Sequence, residues 1–419
     1  MVLRSTTRRR GISLVLVVIS LVSIISVLAL SLEGGLLMTE RRNAQATADA
    51  ASLAAAADLY YLWYQNNGVD VGGTARAAAF TTASYNGYAN DGTLTTVTVN
   101  IPPLSGDYIG KPGYAEVIVE YKHTRGFSSI FGTDQVPVRA RAVAVGMPKA
   151  GEFGILVLDP TMKSAFNVGG GAKIEVQNVP IVVNSTDIEG STANGGGGAV
   201  SDAFYLVGNY STAGGGYFTG PITTGAQPME DPLKYLPYPD PKLMTIQSHN
   251  KTQLTQGSTI LYPGVYKGGI SASANASVTL MPGVYYMDGG GFNFSAAGNL
   301  VGHEIMIFNE PRVNADKISI SANATVDITP PSTGIYQGIT FFQTRDADVP
   351  CEISGSSGMS IDGTFYIAGG ELKLSGSGGF INMGSQYVSR EIDAQGTSTI
   401  HVDWDPDKVA RVRFITIVE

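Results

Sequence analysis

The chain has 419 residues, 43% apolar and only 15% charged, with 52 glycines and one cysteine, Cys351. That length and apolar content exclude a largely disordered protein and allow two or three domains, while abundant small residues with few charges point to turn-rich β structure. A formal net charge of −8 excludes nucleic acid as a main partner, and one cysteine with four histidines excludes a disulfide framework or a zinc cluster.

In chain order, residues 1–11 are basic, with Arg4, Arg8, Arg9 and Arg10, and Ile12–Leu32 then reads ISLVLVVISLVSIISVLALSL without a charge. At ~1.5 Å per residue a helix of that length covers roughly 31 Å, so the lipid bilayer is the expected partner of 12–32. The run outlasts the apolar stretch of a cleaved signal peptide and ends at Glu33-Gly34-Gly35, which favours a retained anchor. The arginines place the N-terminus in the cytoplasm and the bulk of the chain on the periplasmic or extracellular side of an inner membrane, although Arg41 and Arg42 follow the span.

Alanine dominates Leu36–Gln65 without a proline, and Asn66-Asn67-Gly68 is a stop signal, so one helix is expected from Ile12 to about Gln65. The small side chains over 36–65 suit close packing, either with copies of the chain and other membrane-proximal helices or with the domain that follows.

The order of a basic flank ending at Gly11, an apolar helix and ERRNAQATADAASLAAAADL at 40–59 resembles TadG-like proteins of the Tad (Flp) pilus assembly system. Arg42, Gln45, Ala48, Asp49, Ala50, Ala51, Leu53 and Ala54–Ala56 occupy the places of that family's motif. The stretch HTRGFSSIFGTDQVPVRARAVAV at 123–145 is similar to the family's closing strands, and it alternates on its own terms from Val136 to Val145. The resemblance implies a small α/β, pilin-like stalk domain over 33–146. Gly11 is a candidate site of prepilin-type processing, with the departure that cleavage there sets Leu16, not glutamate, at the fifth mature position. Some TadG-like proteins carry a metal-dependent adhesion motif; in Asp159–Lys163 a lysine stands at a ligand position, so no metal site is expected.

From about 168 the chain repeats itself. ISASANASVTL (270–280) and ISISANATVDI (318–328) lie 48 residues apart, ISGSSGMSIDG (353–363) and LSGSGGFINMG (374–384) lie 21 apart, and Pro263-Gly264-Val265-Tyr266 returns after 19 as Pro282-Gly283-Val284-Tyr285. Such spacings match one or two coils of a parallel β-helix. Ile270, Ile318, Ile353 and Leu374 are expected in an inward aliphatic stack, Asn275 and Asn323 at equivalent turns, and the glycine runs at 169–171, 195–198 and 214–216 at corners rather than around a phosphate. The region also resembles the β-solenoid often attached to TadG-like proteins, through Leu158-Asp159-Pro160, Asn184-Ser185, Asp231–Leu233 and Leu236-Pro237. The expected fold is mainly β: a transmembrane and stalk helix, the small stalk domain, then a right-handed parallel β-helix over 147–419 with a proline-rich excursion near 226–241.

Candidate chemistry is sparse. Arg345, Asp346 and Asp348 are the best set for a polysaccharide lyase or hydrolase, against the reading of a polar loop. His303-Glu304 lacks the second histidine of a metalloprotease, and Cys351 reads as a structural thiol. Tyr262, Tyr266, Tyr285 and Tyr286 form a candidate ligand patch for a surface glycan, against packing as ordinary strand residues. Asn184, Asn209, Asn250, Asn275, Asn293 and Asn323 head glycosylation triplets. No catalytic residue, cofactor or metal is expected. The resemblance implies a non-enzymatic role in pilus assembly, anchoring or surface attachment, with a pilus-independent adhesin and a β-helix enzyme as the alternatives.

Overall fold

The computed structural model describes residues 10–126, 129, 135–321, 325–355, 358–377 and 380–419. Arg4, Arg8, Arg9, Asn323 and part of the segment at 123–145 lie outside the described residues. The chain divides into two units, Met1–Pro148 with Arg413–Glu419, and Lys149–Val412.

In the first unit a 52-residue helix, Arg10–Tyr61, runs through Gly11. Its first part is apolar and exposed, long and apolar enough to cross a membrane. Further on, Ala44, Ala48, Ala51, Ala55 and Leu59 recur every three or four residues and make a buried stripe. The stripe shares one core with Ala75, Ala79 and Ala83 of the helix Thr74–Tyr85 and with Val97, Val99, Ala115, Val117 and Val119 of a sheet. The alanine face therefore packs against the domain that follows it. The helix gives way to a short turn, Trp63–Asn66, closed by left-handed Asn67 at the expected stop.

The sheet joins Thr95–Asn100, Tyr114–His123 and Val136–Ala150 antiparallel, and Arg411–Ile417 adds on the outer side of the third strand. Within it the Glu116 side chain is fully buried and accepts from Arg141 Nε at 2.6 Å, Asn100 Nδ2 at 2.8 Å and the Leu104 N–H at 3.1 Å, and from the Ser105 hydroxyl. Arg141 also pairs with Glu419. Burial opposes ionisation of Glu116, but these donors hold its carboxyl down at about 2.

The second unit is a β-solenoid of about 11 turns whose strands run from Ile155 to Val402. The expectation of solenoid to residue 419 is corrected: Arg413–Glu419 belong to the first unit, because the last strand completes the stalk sheet. Three parallel sheets form the walls. On the first wall the inward ladder is Tyr285, Ile307, Phe341, Phe365, Tyr387, Ile155, Ile181, Phe204, Ile222, each residue in register with the next.

That ladder is out of sequence order. The chain enters mid-stack at Ile155, winds outward to Ile222–Thr224, crosses by residues 225–245 to Ile246–Ser248 at the opposite end, and winds back until Tyr387 pairs with Ile155. Coil length varies from 18 residues (Phe204 to Ile222) to 34 (Ile307 to Phe341), because the corners carry loops of different size.

The expected aliphatic stack is two ladders. Ile270 and Ile318 lie in the column Ile270–Phe292–Ile318–Cys351–Leu372–Ile392, while Ile353 and Leu374 lie two positions on, in Ala272–Phe294–Ile320–Ile353–Leu374–Ala394. Side chains two apart on a strand point the same way, so similar sequence at a coil spacing does not distinguish neighbouring columns. Ala274, not Asn275, takes the left-handed conformation. Two of the glycine runs stack as near-identical turns, with φ of 59° and 85° at Gly195-Gly196 and 58° and 84° at Gly214-Gly215.

Candidate functional site

The strands of the first wall read as continuous apolar runs: Ile155–Val157 is ILV, Ile181–Val183 is IVV, Ile305–Glu310 is IMIFNE and Ile339–Gln343 is ITFFQ. Such runs belong to strands buried on both faces. Their outward column is Val265, Tyr286, Phe308, Phe342, Tyr366, Val388, Leu156, Val182, and all eight are buried. The proline-rich excursion supplies cover: Leu233 is buried in the same cluster, with Leu236 and Met244 packed against it. The excursion is thus a strap lying along the wall.

Polar contacts fasten the strap coil by coil. The Asn184 amide donates to the Met229 carbonyl at 2.7 Å and accepts from the Met229 N–H at 2.9 Å. Asp231 accepts from the Tyr366 hydroxyl at 2.6 Å. Arg345 donates to Tyr366 at 2.7 Å and to the carbonyls of Leu233 at 2.7 Å and Leu236 at 2.5 Å, and its guanidinium lies 4.8 Å from the Tyr238 ring centre. The Tyr336 hydroxyl donates to the Pro237 carbonyl at 3.1 Å. Burial pushes the hydroxyls of Tyr366 and Tyr336 up, the latter to about 12.

These contacts place the residues singled out for chemistry. Arg345 holds the strap, Asp346 is exposed, and Asp348 pairs with Arg390 at 2.9 Å. The tyrosine patch is not formed: Tyr266 and Tyr285 lie inside the solenoid, Tyr286 lies under the strap, and Tyr262 alone is exposed. Each Pro-Gly-Val-Tyr turn instead ends in a buried tyrosine whose hydroxyl donates to the carbonyl four residues back, Tyr266 to Tyr262 at 2.7 Å and Tyr285 to Met281 at 2.8 Å. At both turns glycine is required: φ is 149° at Gly264 and 134° at Gly283, and a Cβ would strike the Thr245 oxygen at 2.3 Å or Pro263 at 2.6 Å.

Cys351 is fully buried, and burial pushes its thiol up. Glu304 sits left-handed in a turn and accepts from the Ser332 N–H at 2.7 Å. Asp159 caps its own turn through the N–H groups of Thr161 and Met162. Asn184, buried against the strap, is closed to glycosylation. Among the described residues no group of three His, Cys, Asp or Glu gathers as for a metal.

One wall depression of about 400 Å³ is missing from the sequence-based set. It is lined by Trp404, His401, Asn382, Asp403, Gln177 and Asn178 among others. Trp404 Nε1 donates to the Gly151 carbonyl at 2.9 Å, and His401 lies 3.2 Å from Glu175. An indole ring beside amides and the Asp403 carboxylate suits a small ligand rich in hydroxyls. Its residues come from coils far apart in the chain, so no local pattern announces it.

The long helix decides the comparison with known proteins: residues 11–58 match the family described as Tad, putative Flp pilus-assembly TadE/G-like. The chain carries a TadE/G-like domain. That segment takes in the apolar part of the helix and the alanine stripe as far as Ala55, while the stalk sheet lies beyond it. No curated protein and no solved structure gives a significant match to the chain.

Proposed function

We propose that the chain is a membrane-anchored, non-enzymatic envelope protein acting in Tad/Flp pilus assembly, anchoring or surface attachment. The observation that carries this reading is the coincidence of the TadE/G-like match, 11–58, with the helix apolar enough to span a bilayer. The arginines before Gly11 favour an N-terminus in the cytoplasm, with the stalk and solenoid beyond the inner membrane. The structural employment of Arg345, Asp348 and Cys351 supports a scaffold rather than a catalyst. Co-purification of the full chain with pilus-assembly components after mild solubilisation tests the proposal, and their consistent absence from the purified material overturns it.

A second reading, attachment to a glycan, is favoured by the depression at Trp404. Trp404→Ala, which removes the ring from the depression, would then weaken glycan-array binding by the full chain. Binding that is absent in the wild type, or unchanged in the variant, counts against it.

A further inference from the structure

Among the described residues, both ends of the solenoid are open. At one end Tyr210–Thr212, Tyr217–Thr219 and Ile222–Thr224 each pair on one side only, with Ser191–Ala193, Gly198–Val200 and Phe204–Leu206. At the other, Ile246–Ser248 and Thr252–Leu261 pair on one side only, with Gly264–Lys267 and Ile270–Leu280. An unpaired edge is a template for another strand, and proteins ordinarily blunt it with charges, proline or a covering element. Here residues 203–229 contain no Asp, Glu, Lys or Arg, and 246–262 contain only Lys251; Pro221 stands just outside its edge strand. Tyr210 and Tyr217 at the first end, and Ile246, Ile260 and Tyr262 at the second, are exposed.

The topology explains why neither end is closed by its own chain. Entry at Ile155 and exit after Val402 are adjacent in mid-stack, so what leaves the end coils is the strap, which joins them along the outer face of the wall. The join there also shows what these edges do when they meet. The last coil docks on the first without a direct covalent link between them, in register on all three walls through Tyr387–Ile155, Ile392–Phe166 and Ile400–Ile174. The two free ends are the opposite faces of those same two blocks, so the free edge at Ile222 and the free edge at Ile246 have the same relative sense as the pair already joined. Their inward side chains, Phe218 and Ile222 at one end and Leu254 at the other, are half-buried apolar groups packed on the core.

We propose that the solenoid stacks end to end with a second copy of this chain, the Tyr210–Thr224 edge of one copy pairing in parallel with the Ile246–Leu261 edge of the next. The contact joins two different surfaces, so it propagates head to tail rather than closing as a two-fold dimer.

The test uses the full chain in detergent, followed by analytical ultracentrifugation across a concentration series. Ile222→Lys places a charge at one end and Leu254→Lys at the other; the ammonium reaches water at a free end but is buried on docking. The wild type is expected to form a ladder of oligomers, and each variant to weaken association by at least about tenfold. A one-to-one mixture of the two variants should restore a two-chain species and nothing larger, because each supplies the end the other has lost. Melting followed by circular dichroism reports whether the variants fold, and the paired exposed substitutions Thr219→Lys and Thr223→Lys replace Ile222→Lys if it does not. A wild type that stays single-chain, or assembly that is not complemented in the mixture or survives a blocked end, overturns the proposal; association through the long helix would give the last of these.

Discussion

The Tyr366 hydroxyl donates to Asp231 at 2.6 Å across 135 residues of sequence, and through that contact the proline-rich strap is tied to the wall it covers. The same hydroxyl accepts from Arg345 Nε, while Arg345 Nη2 holds the carbonyls of both Leu233 and Leu236. Tyr366→Phe leaves the Asp231 carboxylate and Arg345 each short of a partner and should cost about 1–3 kcal/mol. Chemical denaturation measures the loss, and limited proteolysis should show earlier cutting within 226–245 than in the wild type.

Buried tyrosines set the alkaline limit of the solenoid. Burial raises the folded pKa of Tyr366, Tyr285 and Tyr387 above the ordinary 10.0, so these hydroxyls stay neutral in the fold. A raised pKa gives stability that is fully present below the unfolded value and drains away as pH climbs above it. Thermal unfolding temperature should therefore fall with rising pH above about 10, and Tyr366→Phe should show a shallower fall.

In the stalk the sign is reversed. Glu116 has its carboxyl held at about 2 against an ordinary 4.5, so its contribution is complete above pH 4.5 and is lost as pH falls toward 2. That contribution is roughly 3 kcal/mol. Glu116→Gln should lower stability at neutral pH and flatten the acid side of the stability profile, read by denaturant midpoints from pH 7 to 3.

The solenoid was legible because stacking forces like residues to recur at coil spacing, and 270–280 with 318–328 prove to be two coils apart, through Ile270–Phe292–Ile318. Strap motif residues were legible as well: Asn184, Asp231, Leu233 and Leu236 all contact or form the strap. Their purpose was not, because it depends on Tyr366 and Arg345, over a hundred residues away. The signal that could have exposed it was periodicity: Ile339–Gln343 buries every residue, whereas Lys173–Val176 and Met359–Ile361 alternate. The tyrosines misled for a related reason, since a tyrosine at a corner reads alike whether its ring faces solvent or the interior. Entry of the chain at mid-stack has no local signature, because every coil edge offers the same hydrogen-bonding pattern.

Two glycines separate the steric and conformational demands of the corners. A Cβ at Gly216 would lie 2.1 Å from the Ala193 carbonyl oxygen of the coil beside it, whereas at Gly225, with φ of 70°, nothing stands within 4 Å. Gly225→Ala should cost only the left-handed backbone, about 1–2 kcal/mol. Gly216→Ala must push two coils apart and should cost more than about 2 kcal/mol, as overpacking against rigid backbone does. Denaturant midpoints of the two variants should fall in that order, and equal losses would show that this corner gives way freely.

Cys351 supplies a check on the interior that needs no change in sequence. It sits between Ile318 and Leu372 in an inward column, fully buried, with its thiol pushed up by desolvation. Reaction with a thiol reagent requires the thiolate and a path to it, and the folded solenoid provides neither. The native chain should therefore resist labelling by an aromatic disulfide at pH 8 and take up one equivalent in denaturant. Cys351→Ser places a hydroxyl among aliphatic side chains and should destabilise by about 1–3 kcal/mol, while Cys351→Ala loses only packing and should cost less. Rapid labelling of the native chain would mean that the coil carrying Cys351 opens readily, and would count against a continuous close-packed column through Ile318, Cys351 and Leu372.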